Sequence, residues 1–98
     1  MEHRHRRDIQ DYITLLFLYP NRRELARAVK RVLDHGYTFD EFEEHGISQS
    51  AYFRDPDGNG LELYYDRPSE QWFDSDGNLV ARAEPFDSSS LSAELDNK

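Results

Sequence analysis

The sequence predicts an α+β fold: a single βαβββ module in which one helix packs on a curved, mostly antiparallel four-stranded sheet. Three observations predict it. Residues 12–19 (YITLLFLY) form an unbroken apolar run rich in β-branched and aromatic residues, the composition of a strand. Residues 22–35 then carry apolar side chains at helical spacing with arginines between them. From residue 37 onward the period drops to two, in three short segments separated by turn residues.

Each element follows in order. Residues 1–11 (MEHRHRRDIQD) read as a flexible basic arm. The run at 12–19 reads as a strand buried on both faces, ended by Pro20. Asn21 stands three residues before Glu24, the spacing of a capping box, so the helix starts there. Leu25, Val29, Val32 and Leu33 form its apolar stripe, and Gly36 falls where a left-handed residue ends a helix. Residues 37–43 (YTFDEFE) and 48–55 (SQSAYFRD) are the next two strands. The turn DPDGNG leads into 61–66 (LELYYD), with Leu61, Leu63 and Tyr65 on one face and Glu62 and Tyr64 on the other. The last two strands form an antiparallel hairpin. Residues 67–85 are polar but hold Trp72, Phe73, Leu79 and Val80 around DSDGN, as a small extra hairpin or packed extension would. The module with this extension spans 12–85, and 86–98 (FDSSSLSAELDNK) reads as a loose tail.

Composition narrows the function classes. The net charge is −8, unevenly spread: residues 1–35 hold eight basic and five acidic groups, residues 36–98 four basic and fifteen acidic ones. That negative field repels phosphate backbones, which argues against nucleic acid as a partner. No apolar run reaches the length of a membrane span, and cysteine is absent, so the expectation is a cytoplasmic protein with no membrane partner. There is no glycine-rich phosphate cradle and no nucleophile elbow.

The residue that asks for an explanation is Glu62. A carboxylate between leucines on a strand is ordinarily a solvent-facing group. Two neighbours argue for a lined cleft instead: Tyr52 on the partner strand of the hairpin, and Thr14 among the apolar residues of the first strand. The turn itself also fits an EF-hand count, with Asp55, Asp57, Asn59, Gly60 and Asp66 at positions 1, 3, 5, 6 and 12, but flanks of strand composition oppose that reading. His3 and His5 read as exposed residues of the arm, and His35 as a helix-terminal residue suited to the dipole.

The stretch DHGYTFDEFEEHGISQSAYFRDPDGNGLELYYDRPSEQW, with YITLLFLYPNRRELARAVKRVL before it, resembles a module of the vicinal oxygen chelate superfamily (glyoxalases, bleomycin resistance proteins and extradiol dioxygenases). It is most similar to a module of an extradiol catechol dioxygenase. The resemblance implies a metal-ligand role for Glu62, six residues after Pro56. It implies that Tyr52 lies near the bound substrate and that His45 lines the pocket. It also implies a histidine ligand on the first strand, where this chain has Thr14.

That substitution shapes the expected function. A two-histidine, one-carboxylate site suits ferrous iron; this chain keeps the carboxylate and lacks the histidine. The expectation is therefore a small-molecule binding protein with an incomplete metal site. No cofactor is expected to be tightly bound, and a divalent metal would bind weakly through Glu62. The alternatives are a metal-dependent glyoxalase- or extradiol-dioxygenase-type enzyme using Glu62 as ligand with His45 and Tyr52 for proton transfer, and a non-catalytic remnant or subunit of a split dioxygenase. Half a paired unit leaves a concave cleft and strand edges open, so a homodimer is expected, with a small-molecule ligand in the cleft.

Overall fold

The computed structural model describes residues 13–96, and side chains from Leu15 onward. Its elements run β1 (Ile13–Tyr19), α1 (Arg22–Asp34), β2 (Glu41–Glu44), β3 (Ser48–Arg54), β4 (Gly60–Asp66), β5 (Glu84–Pro85) and α2 (Ser89–Asp96). The strands form one mixed sheet in the order β1-β4-β3-β2-β5. β1 runs parallel to β4, and every other pairing is antiparallel. This is the expected βαβββ arrangement with one short strand added beyond β2. The basic arm and its two histidines lie outside the described residues.

Local chemistry explains the helix boundaries. The Asn21 side chain accepts from the Glu24 backbone N–H at 2.9 Å, which satisfies one of the N–H groups a helix start leaves open. After the last turn the chain turns at Gly36 with φ of +92°. α1 buries Leu25, Ala26, Ala28 and Val29 against Ala51 and Phe53 of β3 and Leu63 and Tyr65 of β4. The strand alternation of β4 thus delivers Leu63 and Tyr65 to the helix side, as its sequence predicts. Leu33, expected on the buried stripe, is instead 47% exposed, because it falls at the edge of the α1 contact.

Two other expectations are corrected. β1 is not buried on both faces: Leu15, Leu16, Phe17 and Leu18 are 48%, 61%, 41% and 60% exposed. The reason is topological. Among the described residues β1 pairs with β4 alone and closes one end of the sheet, while α1 sits over the middle strands. Residues 86–98 are not a loose tail throughout, since 89–96 form α2. Asp87 opens that segment by accepting from the Ser89 N–H at 2.9 Å, and Leu91, 1% exposed, joins the core beside α1. Arg22 at the start of α1 holds α2 in place through Glu94 at 2.7 Å, the Ser90 hydroxyl at 2.8 Å and the Ser90 carbonyl at 3.1 Å.

The two DxDGN stretches build the same turn. Asp55 accepts from the N–H groups of Asp57 and Asn59, and Asp74 accepts from those of Asp76 and Asn78. Both join extended segments, β3 to β4 in one case and Phe73 to Leu79 in the other, so neither has the flanking helices of an EF-hand. The second turn closes the small extra hairpin.

Candidate functional site

The strand register decides which side chains can meet. Tyr52 of β3 stands opposite Glu41 of β2 and Glu62 of β4, and Glu62 stands beside Leu16 of β1. The next row on the same face is Glu43, Ser50, Tyr64 and Leu18. Since neighbouring residues in a row share a face, these side chains all lie opposite α1. Tyr52 is fully buried yet outside the helix-side core, and Ser50 is 1% exposed.

At the centre of this face is a line of hydrogen bonds. The Tyr52 hydroxyl donates to Glu62 Oε2 at 3.2 Å. The Ser50 hydroxyl donates to the same oxygen at 2.7 Å. His45 Nε2 lies 3.2 Å from the Tyr52 hydroxyl and 3.4 Å from Glu43 Oε1. With the Tyr52 proton committed to Glu62, the tautomer that fits carries its proton on His45 Nε2. The three residues singled out in the sequence, His45, Tyr52 and Glu62, are therefore linked, His45 and Glu62 each touching the Tyr52 hydroxyl. Ser50 and Glu43 join them without having been singled out. A serine and a glutamate alternating in strands look like solvent-facing residues, and only the register shows otherwise. Thr14 lies where the β1 register shifts between Ile13 and Leu15, and its side chain falls outside the described ones.

The turn carrying His45 is fixed from two sides. Gly46 adopts φ of +82°, and a Cβ at that position would lie 1.9 Å from the Val80 carbonyl oxygen. The extension thus crosses directly over this turn, and the Arg82 N–H donates to the His45 carbonyl at 2.9 Å. On the helix side, Glu44 accepts from the Gly46 N–H at 2.8 Å, from Gln49 at 2.7 Å and from Arg67 at 2.6 Å. Burial raises the pKa of Glu44, but these three donors together outweigh it and hold the carboxyl below its ordinary value. Glu44 in turn pushes the Arg67 guanidinium above its own. Gln49 continues the network by accepting from Arg22 at 2.7 Å.

The described residues contain no group of three His, Cys, Asp or Glu side chains placed to hold a metal ion. Glu62 offers one carboxylate oxygen free of protein donors among them, and His45 Nε2 is already engaged. On their own they do not fit a two-histidine, one-carboxylate centre. What they can do is offer a ligand a fixed acceptor beside a phenol–imidazole pair able to pass a proton. No helix among the described residues is long and apolar enough to cross a membrane.

Comparison with known proteins bears on this arrangement. The sequence model of the Glyoxalase/Bleomycin resistance protein/Dioxygenase superfamily matches residues 2–63. A protein of Bacillus subtilis (strain 168), Catechol-2,3-dioxygenase, is 44% identical over 64 residues, which cover 64% of this chain and 22% of the relative. The chain therefore spans about a fifth of that relative's length. No solved structure gives a significant match.

Proposed function

The chain belongs to the Glyoxalase/Bleomycin resistance protein/Dioxygenase superfamily, and on that premise we propose that it binds a small molecule on the sheet face opposite α1, in a cleft completed by a second copy of itself. The observation that carries this reading is the Glu62–Tyr52–His45 line of hydrogen bonds. A carboxylate, a phenol and an imidazole held in contact on one sheet face, beside apolar Leu16 and Leu18, make a small-molecule site of the usual kind, with few polar groups in an apolar surround. Glu62 is the residue toward a metal, should one bind. Tyr52 and His45 are the residues toward a ligand hydroxyl. The metal site is incomplete, and no tightly bound metal is expected.

Catechol is the probe of choice, because the relative named above is a catechol dioxygenase. Calorimetric titration of catechol into tag-free protein, with and without anaerobic ferrous iron, is expected to give saturable binding that Tyr52→Phe weakens. Elemental analysis is expected to show iron well below one per chain, and no ring cleavage. Absence of saturable binding by folded protein would overturn the binding role. A metal-dependent enzyme is the second reading, supported by the same relative; stoichiometric iron with catechol turnover would establish it over the first. Sedimentation of the intact chain is expected to give a dimer. A folded, monodisperse monomer at micromolar concentration would overturn the pairing.

A further inference from the structure

Glu62 is held asymmetrically. Two protein donors, the Ser50 hydroxyl at 2.7 Å and the Tyr52 hydroxyl at 3.2 Å, converge on Oε2, and no donor among the described residues reaches Oε1. A partly exposed carboxylate has no need of this arrangement, because water can serve both its oxygens. Ser50 has little other use for its hydroxyl at this place. It is 1% exposed, on a strand whose neighbours Ala51 and Tyr52 are fully buried. An alanine would fill the same space without a polar group to satisfy.

We propose that Ser50 is a positioning residue: it pins Oε2 of Glu62 and so presents Oε1 as the single acceptor offered to a ligand or cation. This deepens the proposed binding function and rests on it. The consequence is selectivity by geometry. A carboxylate free to rotate can meet a cation through both oxygens or swing between hydrogen-bond donors. One tied at Oε2 meets its ligand through one oxygen in one direction, the role that hydrogen-bonding partners of ligating carboxylates commonly play. Tyr52 shares the hold on Oε2, but its hydroxyl also contacts His45, so the shorter Ser50 contact is the one committed to Glu62 alone.

The test compares the parent chain with Ser50→Ala and Ser50→Thr. Crystal structures without added ligand should show one Glu62 carboxylate orientation in the parent and in Ser50→Thr, which keeps the hydroxyl. In Ser50→Ala the carboxylate should be rotated or split between orientations. An Ser50→Ala carboxylate superimposing on the parent's would overturn the inference, whatever the protein binds. Calorimetry with nickel chloride and with catechol then reads the consequence: affinity for whichever probe the parent binds should fall on the order of 10-fold in Ser50→Ala and recover in Ser50→Thr. Equal affinities in all three proteins would also overturn it. Failure of the parent to bind either probe would count against the binding function, while the carboxylate orientation still decides the role of Ser50.

Discussion

Replacing Arg67 by methionine should destabilise the fold by about 2–3 kcal/mol near neutral pH, and the loss should shrink in acid. Arg67 reaches Glu44 at 2.6 Å and the Tyr65 hydroxyl at 3.3 Å, while its guanidinium lies 5.9 Å from the centre of the Tyr65 ring. Removing one partner of a buried ion pair costs about 3–5 kcal/mol. The Arg67 side chain is 25% exposed, and Gln49 and the Gly46 N–H still serve Glu44, which brings the figure down. Methionine keeps most of the apolar stem, so packing changes little. For a domain of this size the change is a drop in melting temperature of roughly 10–20 °C. The folded pKa of Glu44 is depressed, so its contribution to stability is complete above the unfolded value, near the ordinary glutamate value of 4.5, and is lost as pH falls through the folded pKa. Arg67 supplies part of that depression, so parent and variant should converge toward about pH 3. Circular-dichroism melts at fixed protein concentration across this range read both effects. A difference that stays constant from neutral pH to about pH 3 would refute the argument, as would no difference at all.

Further outcomes follow from other contacts. Gly46→Ala should cost about 2–4 kcal/mol in denaturant unfolding, from its positive φ and the collision with the Val80 carbonyl, whereas Gly58→Ala, with φ of +87° but nothing within 4 Å, should cost only about 1 kcal/mol. Equal losses would show that the Val80 contact is not what requires glycine at 46. Leu91→Ala should lower stability by about 2–4 kcal/mol and speed amide exchange in α2; exchange already fast in the parent would show that the helix is not docked. Leu16→His should raise nickel affinity well above the parent's, because Leu16 stands beside Glu62 on the same face, while Leu15→His, beside Leu61 on the opposite face, should not. A gain in both variants or in neither would show that the register at β1 has been misjudged.

Much of the fold was legible because its signals are local. Asn21, the stripe through Leu25 and Val29, and Gly36 mark α1 within sixteen residues of chain, and the Asn21 cap closes on Glu24 inside that stretch. The alternation of β4 settles the face of Glu62, and a short hairpin places Tyr52 opposite it. The parts that escaped need information from far along the chain. Glu44 and Arg67 are 23 residues apart, Arg22 and Glu94 72, and neither pair has a spacing that suggests contact. Ser50 escaped for a related reason, since a strand serine acquires a role only once the register sets it against Glu62. α2 escaped because Leu91 and Leu95 alone, in a serine-rich stretch, make too faint a stripe to distinguish from coil.

The misjudged burial of β1 is the most instructive case. Composition records the surroundings in which a strand works, whereas a structure of one chain records only what that chain supplies. β1 has the composition of an interior strand and the position of an edge strand, and four successive apolar side chains remain about half exposed there. An edge of that kind, left bare, is a template for unwanted pairing, and natural edges are normally blunted by charge, proline or a covering element. Residues 15–18 hold no charge and no proline, and no strand among the described residues pairs beyond β1. Burying what is exposed on Leu15, Leu16, Phe17 and Leu18 would contribute roughly 3–6 kcal/mol per chain. That is a substantial share of the stability of a domain this small. The same strand holds Leu16 and Leu18 in the rows that contain Glu62, Tyr52 and Ser50, so whatever covers β1 also walls the candidate site. This supports treating assembly and ligand binding as one question: a partner that shields β1 turns the open sheet face into a cleft, and a ligand seated between the two would in turn hold the pair together.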